Sequence, residues 1–282
     1  MTQGSRELRD LISTAAPLST EVSWLLELAK DPTAGVDRLL PTIGRDPRLS
    51  GFLMRLAASG YYGRPRPAIT LREALVRLGN QKVAMIAFAG RAGRTLRRRL
   101  WRYGYARGDL WRHSLGVAFG AAFLLRNRSD MSRSELAATG GLFHDIGKAL
   151  VHQAIAGSSS VIEPAPEEQD ILACERRLTG FDHAEAGASL LEHWGLPAPV
   201  ITAVRHHHEA AQAPEGQDVV ESVAKADWIC NLVSLGPSGA SGRRDGALGD
   251  KNSCPESSDV AALLERIHPE VAKLEQITRG VT

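Results

Sequence analysis

Apolar side chains recur at helical spacing almost from one end of this chain to the other, and no stretch alternates cleanly at period two. A chain patterned this way can bury its apolar faces only by packing helix on helix, so an all-α fold is expected. Val22, Leu25, Leu26 and Leu28 mark a helix over 21–30, and another follows over 36–43. Asp46-Pro47 reads as a stop and restart, because proline is tolerated in the first turn of a helix. Beyond it Leu49, Phe52, Leu53 and Leu56 repeat at i, i+3, i+4, i+7. Residues 60–67 read as a loop. Thr70 with Glu73 forms a capping box, and Gly79 reads as that helix's stop. Asn80 can cap the next helix, which runs toward Arg97-Arg98-Arg99. Further helical stripes cover 109–125, 134–152, 182–194, 197–209, 219–235 and 259–278. The span 236–258, rich in Gly, Ser, Pro and Asp, reads as a mobile insert.

At 43% apolar residues the chain has ample material for a core. The longest apolar run, 116–125, is half of the roughly 20 residues a membrane span needs, and no basic-then-apolar leader opens the sequence. A cytoplasmic protein is expected. Cys174, Cys230 and Cys254 are widely spaced and form no CxxC pair, which argues against a disulfide framework and a cysteine-built zinc site. Charge is uneven: residues 64–112 carry a net +11 and residues 113–282 a net −9. The basic segment either meets a polyanion or pairs with the chain's own acidic half, and the second reading is favoured. Arg91, Arg94, Arg97, Arg98, Arg99 and Arg102, interleaved with Trp101, Tyr103 and Tyr105, could line a single-strand groove. Nucleic-acid binding is nonetheless disfavoured.

Chemistry concentrates in the histidines. On a helix each residue advances about 100°, so Asp145, Lys148 and Gly141 fall within about 100° of His144, while Leu142 and Ile146 face the other way. Imidazole beside carboxylate suits a divalent transition metal, and a nearby ammonium suits a substrate phosphate. His207 and His208 share the face of Val200, Ile201 and Val204, whereas His206 points opposite and is read as solvated. His113 lies on the stripe of Leu110, Val117, Gly120 and Leu124, with Asp109 one turn earlier as the N-cap of that helix. His183 follows Asp182, a second N-cap, and Asp227 aligns with Val220, Val223 and Cys230. Any one of these alone would read as a satisfied core polar group. Together they favour a metal-binding set.

The order His113, His144-Asp145, His183, His207-His208, Asp227 resembles the HD superfamily of metal-dependent phosphohydrolases. The flanking text "DPRLSGFLMRLAASGYYG", "ITLREALVRLGNQKV", "LWRHS", "GLFHDIGK", "FDHAEAGASLLEHWGLP" and "VRHHHE" is similar to the HDOD (HD-related output domain) branch over roughly residues 20–235. That resemblance implies a two-lobed all-α architecture: an N-terminal extension over 1–19, a helical lobe over 20–108 and an HD-like metal-site lobe over 109–235. The insert over 236–258 and a C-terminal helix over 259–282 would follow. It also implies that His113, His144, Asp145 and Asp227 hold one divalent ion and His183, His207 and His208 a second, with Asp145 bridging. Iron, manganese or zinc would suit these ligands. Asp145 and Lys148 would then carry the chemistry, Lys148 neutralising a phosphate oxygen.

Two departures matter. Family members commonly read Asn-Ser-Ala where this chain has Ala58-Ser59-Gly60. The Gly-Tyr-Pro signature of related cyclic-di-GMP phosphodiesterases is missing from 210–217, so that activity is not carried over. The resemblance therefore implies a bacterial HDOD signal-transduction protein with an occupied metal site, hydrolysing a nucleotide or phosphodiester. The alternative is a purely regulatory module that binds a signalling protein partner, its metal site vestigial or structural.

Overall fold

The structure, a computed structural model, describes residues 3–14, 35–58, 70–80, 95–126, 131–157, 171–233 and 258–278, with single positions between them. The expected helices over 21–30 and 80–97, the loop over 60–67 and the insert over 236–258 lie largely outside the described residues. In chain order the helices are α1 (Gln3–Thr14), α2 (Val36–Gly44), α3 (Pro47–Ala58), α4 (Leu71–Leu78), α5 (Asp109–Leu125) and α6 (Met131–Phe143). They continue as α7 (Lys148–Ala154), α8 (Ile171–Thr179), α9 (His183–His193), α10 (Ala198–His206), α11 (Gln217–Leu232) and α12 (Ser258–Thr278). Short 3-10 turns occupy Trp101–Tyr103 and Ala210–Gln212. The all-α expectation holds: among the described residues the only β pairing is an isolated bridge between Leu100 and Tyr105. None of the described helices is long and apolar enough to cross a membrane.

The chain divides into two compact units, Pro17–Arg94 with Lys273–Thr282, and Met1–Ala16 with Thr95–Ala272. In the first, α2, α3 and α4 enclose Leu39, Ile43, Phe52, Leu53, Leu75 and Leu78. The Asp46 restart has a physical basis, since its carboxylate accepts from Leu49 N at 3.1 Å and its carbonyl from Ser50 N at 2.9 Å. The Thr70 hydroxyl accepts from Glu73 N at 3.2 Å, and Gly79 ends α4 at φ 78°, where glycine is favoured.

The second unit is centred on α5, whose small residues let its neighbours approach. A Cβ on Gly116 would meet Cys230 Sγ of α11 at 2.9 Å, and one on Gly120 would meet Ala226 at 3.0 Å. On α6, Gly140 faces Ala203 of α10 and Gly141 faces the Val117 backbone, each within 2.9 Å of an added Cβ. Val117, Val220, Val223, Ile229, Leu263 and Ile267 fill the space between α5, α11 and α12.

The helix expected over 134–152 is broken. α6 ends at Phe143, and residues 144–147 form a tighter turn in which Ile146 N and Lys148 N donate to the carbonyls three residues back, each at 3.0 Å. The turn accompanies a close approach of α9: a Cβ on Gly147 would lie 2.0 Å from the His183 carbonyl oxygen. Likewise α10 stops at His206, although His207 keeps helical dihedrals as its C-cap.

Candidate metal centre

Five segments of the second unit deliver side chains to one buried place. α5 carries His113, the tight turn carries His144 and Asp145, and α9 opens on His183. The end of α10 supplies His207 and His208, and α11 supplies Asp227. Lys148 begins α7. His206 lies apart from this group, with no contact to its members among the ring and ion pairs described.

Asp145 is the centre of the arrangement. Its Oδ1 lies 3.3 Å from His183 Nε2 and 3.9 Å from His207 Nε2. Its Oδ2 lies 3.4 Å from His144 Nε2 and 3.8 Å from His113 Nε2, and accepts a hydrogen bond from Lys148 Nζ at 2.8 Å. Asp227 Oδ1 is 2.9 Å from His113 Nε2 and 3.5 Å from His144 Nε2. On the other side, His208 Nε2 sits 2.9 Å from His183 Nε2. Ligand-type atoms of His113, His144 and Asp145 lie within 4.8 Å of one another, and so do those of His183, His207 and His208.

The ring orientations follow from hydrogen bonding. A carbonyl oxygen can only accept, so His144 Nδ1 donates to Gly141 O at 2.8 Å and His207 Nδ1 donates to Val204 O at 2.7 Å. Both rings therefore turn Nε2 inward. His207 Nε2 is buried without a hydrogen-bond partner, a costly state for a polar atom that a cation would relieve. Imidazole nitrogens and carboxylate oxygens are the donor set that divalent transition metals take, so the residues present fit such an ion.

Charge is balanced within the cluster. Burial opposes ionisation of Asp145, but His144 and Lys148 hold its carboxyl well below the usual range. Asp227 is likewise depressed against burial, by hydrogen bonds from His113 and His144. Burial also disfavours charge on His144, yet the two carboxylates outweigh it and raise this imidazole to about 10. His207 goes the other way, pushed by burial and by the neighbouring His144 and His183 down to about 3.

Two participants escape a reading of the sequence. Glu175 of α8 is fully buried and receives His183 N at 2.7 Å and His183 Nδ1 at 2.8 Å. Tyr103 donates its hydroxyl to the same carboxylate at 2.7 Å. Glu175 precedes Arg176-Arg177 and looks solvated, but its stripe with Ile171, Leu172 and Thr179 is buried and was the available signal. Asp109 differs from expectation. Gly108 occupies the N-cap of α5, and the Asp109 carboxylate closes the preceding turn by accepting from Ala106 N at 2.8 Å. In the basic segment, Arg97 lies over the buried Trp111 ring at 4.8 Å and Arg102 over Trp101 at 4.1 Å, while Arg91 and Arg94 lie outside the described residues.

Asp182 holds the start of α9 in place, accepting from Glu185 N at 2.8 Å and from Arg176 Nε at 2.8 Å. Asp182→Ala is expected to cost about 1 kcal/mol through the lost cap. Urea denaturation followed by circular dichroism measures this, and an unchanged midpoint would contradict it.

Comparison with known proteins places this geometry in context. The HDOD domain family profile matches residues 16–210. An uncharacterised protein of Treponema pallidum (strain Nichols) is 24% identical over 241 residues, which cover 82% of this chain but only 45% of that relative. Among solved structures, an HDOD domain protein of unknown function from Geobacter sulfurreducens superposes with TM-score 0.61 at 22% identity, covering 98% of this chain and 96% of its own. A candidate metal-dependent phosphohydrolase from Shewanella amazonensis SB2B gives TM-score 0.63 at 18% identity, with 100% of both chains covered. A candidate signal transduction protein from Marinobacter aquaeolei VT8 gives 0.62 at 19% identity, covering 98% of this chain and 66% of that one.

Proposed function

The chain belongs to the HDOD domain family, and on that premise we propose that it is a signal-transduction protein whose HD site holds divalent metal and hydrolyses a phosphoester of a nucleotide or phosphodiester. The observation that carries this reading is the convergence of imidazole and carboxylate groups from five segments, with His207 Nε2 buried and lacking a hydrogen-bond partner. The names of the Shewanella and Marinobacter proteins agree with it.

His113, His144, Asp145 and Asp227 would hold one ion and His183, His207 and His208 another, Asp145 lying beside both groups of imidazoles. Such ions, iron, manganese or zinc, supply an activated water and offset the charge of a phosphoryl group. The chain's own groups do the rest. Lys148 fixes the Asp145 carboxylate and supplies a positive charge for a phosphoryl oxygen brought to that side. The faces of Tyr103 and Tyr105, 5.7 Å and 5.6 Å from Lys148 Nζ, keep water from its ammonium.

Elemental analysis of protein purified without added metal, followed by assay on bis(4-nitrophenyl) phosphate with manganese, tests the proposal. One or two ions per chain together with hydrolysis would support it. Ions without hydrolysis would favour the regulatory alternative, to which the missing Gly-Tyr-Pro after Glu209 already points. A protein free of metal under both conditions would overturn the proposal and favour the regulatory module with a vestigial site.

A further inference from the structure

Beyond the groups that face the site, one buried carboxylate has no role in the reading above. Glu175 is fully buried and accepts three hydrogen bonds: from the Tyr103 hydroxyl at 2.7 Å, from His183 N at 2.7 Å and from His183 Nδ1 at 2.8 Å. A carboxylate this deep is costly unless each lone pair is met, and here the donors on two different segments meet them. Because a carboxylate only accepts, the proton of the His183 ring sits on Nδ1, and Nε2 turns toward Asp145 Oδ1 at 3.3 Å. The contacts close on themselves. Tyr103 holds Glu175, Glu175 holds His183, His183 faces Asp145, Asp145 holds Lys148, and the Lys148 ammonium lies 5.7 Å from the Tyr103 ring.

We propose that Glu175, held by the Tyr103 hydroxyl, is a positioning residue that fixes the tautomer and direction of His183 and thereby sets the affinity of the seat formed by His183, His207 and His208. This rests on the metal-binding reading above. Outer partners of ligating imidazoles orient the ring and raise its basicity, and losing one typically costs about 10–100-fold in metal affinity.

Glu175→Gln is the informative change, since it keeps the shape but turns an amide N–H toward at least one of the three donors. Cobalt(II) titration of the full chain, read by visible absorbance and by bound-metal count, is the measurement. Weakening of one seat by about 10–100-fold, with the other unchanged, supports the proposal. Equal affinity in the variant, or equal weakening of both seats, overturns it, the second outcome marking a merely structural role. Wild-type protein that takes up no cobalt would instead overturn the metal-binding reading itself. Should Glu175→Gln lose its helical circular dichroism, Tyr103→Phe decides: a smaller selective loss, under about 10-fold, supports the proposal, and no loss overturns it.

Discussion

Asp145→Ala protein is expected to purify without bound metal and to show no thermal shift on adding manganese. The wild type, at a hundredfold excess of ion over Kd, should gain about 2.7 kcal/mol of stability. The size of the loss follows from position. Among the described residues, Asp145 is the carboxylate that pairs within 4 Å with His113, His144, His183 and His207 together. Its removal takes an oxygen from both halves of the cluster, and should cost more than the roughly 10–100-fold that follows loss of an outer partner. Alanine has a second effect. Lys148, buried on Asp145, would lose its counter-charge, and an uncompensated buried charge costs about 3–5 kcal/mol. Asp145→Asn removes the charge as well, but it keeps the shape and an amide oxygen that still accepts from Lys148, so it should cost the fold less than alanine does. Retained folding with lost metal in the asparagine variant is the expected result. Wild-type metal content in that variant would sink the assignment of Asp145.

The second large effect is steric. Gly147→Ala is expected to destabilise the fold by about 3 kcal/mol or more, the upper end of overpacking costs. Gly147 has ordinary helical dihedrals, so conformation is not the obstacle. Space is. The added Cβ would lie 2.0 Å from the His183 carbonyl oxygen and 2.5 Å from Gly187 N, both main-chain atoms of α9 that cannot swing aside. Relieving that overlap displaces His183, so metal uptake should fall with stability. Gly157→Ala is the matched control, since its Cβ would meet nothing within 4 Å. Urea denaturation of both variants should separate them widely, and equal midpoints would refute the packing argument.

How much of this was legible in the sequence depends on what kind of information each element carries. Helices such as α5, α9 and α12 announce themselves because a buried stripe repeats within one segment, and caps such as Thr70 and Asp182 are local by nature. The wheel also set His207 and His208 on the inward face, and the structure brings both to the cluster, because His207 keeps helical dihedrals past the end of α10; His206, read as solvated, is half-buried. It misled at 144–147. There the backbone tightens as α9 approaches Gly147, and a periodicity argument cannot see another segment's main chain. Glu175 and Tyr103 were missed for the same reason. Their meaning lies in each other and in His183, three residues from three segments, and neither Glu175 nor Tyr103 has a neighbour in sequence that points to His183.

The two ways in which the imidazoles are held differ in how they would fare as the sequence drifts. His144 and His207 are oriented by the carbonyls of Gly141 and Val204, and every amino acid brings a carbonyl. No substitution at 141 or 204 can delete those acceptors while the helices stand. His183 depends on a side chain, and a single codon change at 175 would remove it. Mutational decay of this centre should therefore be lopsided. The orientation of His183 is the one that a single change outside the proposed ligands can disconnect, while the orientations of His144 and His207 last as long as their helices.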